Sequence, residues 1–106
     1  MNKITHEALY DGRVHKLSLH DENGHPLAIY VAEPGKYNLG RATGIRQVAV
    51  LLGKVVVTGP VLHKGKPVEG PHDMHSSGRA CNLPAGTDFS VEVPDPGQSV
   101  FAAFDL

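Results

Sequence analysis

A chain of 106 residues has room for one modest hydrophobic core, and at 41% apolar and 20% charged residues it has the composition of a folded protein. Ten Lys and Arg against eleven Asp and Glu leave a formal charge of −1, without the basic excess of a nucleic-acid binder. A lone cysteine, Cys81, excludes an internal disulfide, and no stretch approaches the ~20 apolar residues that cross a membrane as a helix.

Met1 to Tyr10 carries neither an apolar h-region nor a cleavage pattern, so the expected location is cytoplasmic. Val14, Leu17 and Leu19 then alternate roughly with His15, Lys16, Ser18 and His20. Asp21-Glu-Asn-Gly24 follows, and Asn-Gly suits a type I′ turn. With Leu27 to Val31 this predicts a first hairpin. Pro34-Gly35 is a turn, Tyr37 to Leu39 a short strand, and Arg41-Ala-Thr-Gly44 a loop. Val48 to Leu52, Gly53-Lys54 and Val55 to Val57 read as a second hairpin of central, largely buried strands. Thr58 to Ser77, punctuated by Pro and Gly, reads as a long mobile loop. Ala80 to Leu83 is strand, Pro84-Ala-Gly86 a turn, and Phe89, Val91 and Val93 a half-buried strand. Pro94-Asp-Pro-Gly97 turns into a last strand, Ser99 to Phe104. Seven or eight short strands with no helical periodicity predict one all-β domain over residues 1–106, a sandwich or barrel that closes to hide its edges.

Gly78-Arg-Ala-Cys-Asn-Leu-Pro84-Ala-Gly86 is similar to the second cupin motif, Gly-x5-Pro-x-Gly. Tyr10-Asp-Gly-Arg-Val14, Pro34-Gly35-Lys36-Tyr37, Leu52-Gly53, Asn82-Leu83-Pro84 with Phe89, and Val91-Glu-Val93 follow in order across nearly the whole chain. Together these blocks resemble the small pyrimidine/purine nucleoside phosphorylases of the cupin superfamily. The resemblance implies a small cupin-like β-barrel (a double-stranded β-helix, or jelly roll). It also implies phosphate-dependent cleavage of ribonucleosides to free base and ribose 1-phosphate, with no metal or other cofactor beyond phosphate as co-substrate. A homodimer is expected by analogy. The chain departs from that family at Lys36, where a glutamate is usual, at Arg46-Gln47, where carboxylates are usual, and in having no tryptophan.

Residue chemistry suggests roles within that frame. Arg46, or less directly Arg41, would hold phosphate, since the planar guanidinium makes bidentate contacts. Gln47 would hydrogen-bond base or ribose. Tyr37 and Phe89 would flank the base, stacking being worth roughly 1–3 kcal/mol per base; packing in the core is the other reading of both. His72-Asp-Met-His75 has the residue types of a transition-metal site, but it falls in the long loop, away from the usual cupin ligand positions. Cys81 reads as a small core residue. The alternative to an enzyme is a non-catalytic, small-molecule-binding cupin that has lost its acidic residues.

Overall fold

The computed structural model describes residues 3–20, 26–41, 43–76 and 80–105. The predicted Asn-Gly turn at 21–24 and the first glycine of the cupin-like motif, Gly78, lie outside the described residues.

Twelve strands make up the described fold, and no helix is found among the described residues. They are β1 (Lys3–Leu9), β2 (Val14–His20), β3 (Pro26–Ala32), β4 (Gly35–Arg41), β5 (Arg46–Leu52) and β6 (Lys54–Val57). Then come β7 (Val61–His63), β8 (Lys66–Val68), β9 (His72–His75), β10 (Cys81–Leu83), β11 (Asp88–Val93) and β12 (Ser99–Asp105). An eight-stranded sheet has the order β1-β2-β3-β12-β5-β10-β7-β8, and a four-stranded sheet the order β4-β11-β6-β9. From β3 onward the chain alternates between the sheets, only the β7–β8 pair remaining in one. It therefore winds as a helix of strands around the shared core.

That winding corrects one expectation. β5 and β6 do not pair as a hairpin: β5 pairs with β12 and β10, and β6 with β11 and β9. Gly53 sits at the corner with φ +81°, a left-handed conformation that side chains resist. A Cβ there would lie 2.7 Å from Ser99 Oγ. The Ser99 hydroxyl is buried but satisfied, donating to the Lys54 carbonyl at 2.7 Å and accepting from the Lys54 amide at 3.2 Å. Nor is β5 buried throughout, since Leu51 is 53% exposed.

The expected long loop between 58 and 77 also differs. It contains the small β7–β8 hairpin and β9, which pairs antiparallel with β6 from Lys54↔His75 to Val57↔His72. Pro and Gly here mark tight turns within a sheet-bound segment. These strands, with β1, account for the excess over the seven or eight predicted.

The first hairpin forms where expected, with Leu19 opposite Leu27 and Val14 opposite Ala32. Its facing is the reverse of the simple amphipathic reading. Val14 points inward and is fully buried, so Lys16, Ser18 and His20 share its inner face while Leu17 and Leu19 look outward. β11 follows its pattern, Phe89, Val91 and Val93 all being buried. At the centre Tyr30 (β3) stacks on Phe101 (β12) at 5.1 Å, and Phe89 (β11) meets both edge-on at 5.9 Å.

Gly53→Ala should destabilise the protein by clearly more than Gly65→Ala. Both positions have positive φ, costing about 1–2 kcal/mol for a side chain, but a Cβ at Gly65 meets nothing within 4 Å. Thermal unfolding of the two variants measures the difference; equal losses would mean the Ser99 contact relaxes freely.

Candidate functional site

The eight-stranded sheet turns a polar inner face toward one end of the barrel. Lys16, Ser18 and His20 come from β2, Tyr30 from β3, Arg46 from β5 and Asp105 from β12; with neighbouring Ala28 and Ala103 they line a recess of about 260 Å³. Register explains the convergence: Lys16 lies opposite Tyr30, Tyr30 opposite Phe101, and Asp105 opposite Arg46. The small residues Ala28 and Ala103, paired across β3 and β12, leave the space that larger side chains would fill.

Two cations and a phenol dominate the recess. Arg46 Nε donates to Asp105 Oδ1 at 2.9 Å, and its side chain is only 15% exposed. The guanidinium lies 5.8 Å from the Phe89 ring centroid. Lys16 Nζ sits 5.9 Å from the Tyr30 centroid. Such cation–π contacts hold the charged groups over the aromatic core. Burial raises the Tyr30 pKa above its usual 10.0; Arg46 opposes the shift, while Asp105 and Glu7 add to it. Tyr30 is therefore a neutral hydrogen-bond donor at neutral pH.

Of the five residues expected at a site, Arg46 alone lines the recess. Phe89 is wholly buried beneath Arg46 and wedged among Tyr30 and Phe101, so it supports the floor and has no face for a base. Gln47 follows Arg46 on the strand and so points to the opposite, outer side, opposite Phe104 and Asn82. Tyr37 is 4% exposed at the other sheet. Its hydroxyl donates to the Glu33 carbonyl at 2.6 Å, Arg13 covers its ring at 5.7 Å, and Tyr10 meets its edge at 5.0 Å. It latches the β1–β2 turn to β4, and no ring face remains open. Arg41 is 71% exposed and ion-paired at 3.3 Å with Asp88, outside the recess. The Gly40–Gly44 segment contains Ala42, which lies outside the described residues.

His72 and His75 stand three apart on β9, an odd spacing that sends them to opposite faces of the strand. His72 Nε2 lies 2.9 Å from the Val68 carbonyl oxygen. The two imidazoles do not converge. Among the described residues no three His, Cys, Asp or Glu side chains gather as a metal-ligand group. Cys81 packs against the core with its Sγ 3.2 Å from Met74 Sδ.

Lys16, Ser18, His20, Tyr30 and Asp105 escaped the sequence reading. The available signal was the even spacing of Lys16, Ser18 and His20 from Val14, hidden by the more apolar Leu17 and Leu19.

No family model matches the chain, and no curated protein does. Solved structures do match. A protein of unknown function from Vibrio parahaemolyticus superposes with TM-score 0.72 at 19% identity, covering 98% of this chain and 99% of that one. A DUF1255 protein of unknown function from Acinetobacter sp. ADP1 gives TM-score 0.75 at 9% identity, covering 100% and 93%. The Drosophila melanogaster CENP-C cupin domain gives 0.69 at 14% identity, covering 95% and 74%. The described fold is accordingly a small cupin-like β-barrel.

Burial pushes the Cys81 thiol up to about 11, from an ordinary 9.0. At pH 8 its reaction with a disulfide reagent should be on the order of 100-fold slower in the native than in the denatured chain, following the two-unit difference in thiolate population. Between about 9 and 11 the native state keeps a proton that the unfolded state loses, so this group makes stability fall as pH rises through that window. Reagent kinetics with and without guanidinium check the first expectation, and melting curves across the window the second.

Proposed function

We propose that the chain is a nucleoside phosphorylase whose phosphate and ribose sit in the recess of Lys16, Tyr30, Arg46 and Asp105. The observation that carries this reading is the pairing of two cations, Arg46 and Lys16, over a closed aromatic floor at the barrel mouth. The substrate class comes from the resemblance of the sequence to the small cupin phosphorylases. A recess of about 260 Å³ is near the ~300 Å³ lower bound for small-molecule sites, which suits one mononucleoside-sized ligand and not a polymer.

In the proposed reaction a phosphate oxygen forms a bond to the anomeric carbon as the carbon–nitrogen bond breaks. The electron pair of that bond leaves with the base. Arg46, oriented by Asp105, and Lys16 hold the phosphate dianion next to the sugar, where positive charge develops. Tyr30, kept protonated by burial, donates a hydrogen bond to phosphate or to a ribose hydroxyl. Phe89 serves only as the floor beneath Arg46, and Tyr37, Gln47 and Arg41 have no part in this arrangement. The homodimer and the cytoplasmic location belong to the same reading.

A second reading, a non-catalytic cupin that binds a small anion, is favoured by the lack of an open aromatic face in the recess. One experiment separates the two. Adenosine, guanosine, inosine, uridine and cytidine are incubated with the protein, with and without phosphate, and free base and ribose 1-phosphate are quantified. Phosphorolysis predicts phosphate-dependent release that falls about 100-fold or more in Arg46→Ala and is unchanged in Arg41→Ala. No release by folded protein, with ribose 1-phosphate still binding by calorimetry, leaves the binding reading.

A further inference from the structure

Histidine is the commonest metal-ligating side chain, and its placement in this fold is uneven. His20 lines the recess, His63 lies on β7, and His72 and His75 diverge on β9. His6 and His15 converge. Leu9 of β1 lies opposite the buried Val14 of β2, so Thr5, Glu7 and Leu9 share the inner face while Ile4, His6 and Ala8 point outward. His15, next to Val14, points outward as well. In this register His6 lies opposite Leu17 and His15 opposite Ala8, which makes the two histidines diagonal neighbours across the strand pair. Their ring centroids are 5.1 Å apart with the planes at 20°. His6 Nε2 is 2.9 Å from His15 Nδ1, one nitrogen donating and the other accepting.

We propose that His6 and His15 form a two-imidazole site for a late first-row divalent cation, copper(II) binding most tightly, which clips the edge strand β1 to β2. The nitrogen spacing carries the argument. Two ligands at right angles on an ion at about 2.1 Å lie about 3.0 Å apart, and at the tetrahedral angle about 3.4 Å. The 2.9 Å between Nε2 and Nδ1 is close to that of adjacent ligands. The ion takes the place of the shared proton once each ring turns its lone pair away from the other nitrogen. His6 is exposed on the outermost strand of the sheet, so its ring has room to turn. The surroundings suit a cation. The outward residues of β1, β2, β3, β12 and β5 include no Asp, Glu, Lys or Arg, so the ion meets no like charge on this face. Glu7 and Lys16, the sequence neighbours of the two histidines, face the inner side. Ile4, Ala8, Leu17 and Leu19 give the pair an aliphatic surround, which strengthens the ion–ligand attraction. Among the described residues no third His, Cys, Asp or Glu joins the pair, which leaves the other coordination positions to water. Two neutral nitrogen donors with open positions select copper(II) over nickel(II) and zinc(II), and all three over calcium or magnesium. β1 is hydrogen-bonded only to β2, so an ion held by one histidine from each strand restrains the edge of the sheet. The site lies on the opposite side of the sheet from the recess and is independent of the proposed phosphorolysis.

Calorimetric titration of the full chain with copper(II), and separately with zinc(II), tests this. The expected result is one tightly bound equivalent, copper binding more tightly than zinc. The affinity should fall roughly 100-fold in His6→Ala and in His15→Ala, because losing one imidazole turns chelation into single-point binding. It should be unchanged in His63→Ala and His75→Ala. None of the four histidines is buried, and melting curves verify that the variants fold. Hydrogen exchange gives a second readout: saturating zinc should slow exchange of the β1 amides in the unsubstituted chain and not in His6→Ala. Folded protein that binds neither metal would overturn the inference. So would binding that survives both the His6 and the His15 substitution, or that is lost in His63→Ala or His75→Ala, since either result assigns the ion to other histidines.

Discussion

Three aromatic rings hold the barrel together. Tyr30 and Phe101 belong to the large sheet and Phe89 to the small one, and their contact joins the two sheets at the point where the barrel must close. The sheets need this because neither forms a core alone: a twisted antiparallel sheet buries one face only against another layer. The strands around the rings contribute mainly small or β-branched side chains, Val14, Ala32, Val48, Val50, Val55, Val57, Val91 and Val93. These pack closely but span little distance, so the large rings fill the middle.

The same cluster makes the polar recess possible. Above the rings the inward positions change from apolar to polar within one or two residues on each strand: Val14 to Lys16, Val48 to Arg46, Ala103 to Asp105. Charges so close to a core are costly unless paired or solvated. Arg46 meets this by lying over Phe89 while its Nε reaches Asp105, and Lys16 by reaching across Tyr30 toward the mouth. The site and the core are consecutive turns of the same strands, so perturbing the floor would move the cations above it.

The inner and outer faces of the large sheet invert the usual division of a small protein. Its inner face is apolar below and charged at the mouth, whereas its outer face is uncharged across five strands. A sheet has only two faces, and each strand alternates between them. Placing Lys16, Ser18 and His20 inside therefore obliges Leu17 and Leu19 to face outward. The polar site and the apolar outer surface follow from one choice of register.

Much of the architecture was legible along the chain. The alternation of Phe89, Val91 and Val93, the dense Val48–Leu52 run, the turns at Pro84–Gly86 and Pro94–Gly97 and the lack of helical periodicity determined an all-β barrel, because strand propensity and turn chemistry act over a few residues. The site was less legible. Arg46 was singled out by residue type, but Tyr37, Phe89, Gln47 and Arg41 were assigned to a pocket they do not line. β9 was hidden in an apparent loop because its partner, β6, lies far from it in sequence. Which member of an alternating pair faces inward depends on what the other sheet presents. Val14 and Leu17, both apolar and of opposite parity, compete for the interior of β2, and nothing within β2 decides between them. The decision comes from the core closed by the four-stranded sheet, where Val14, Ala32, Tyr30 and Phe101 share a buried cluster with Phe89, Val55, Val57 and Val91 of the opposite sheet, long-range contacts that exist only once the two sheets have closed on each other.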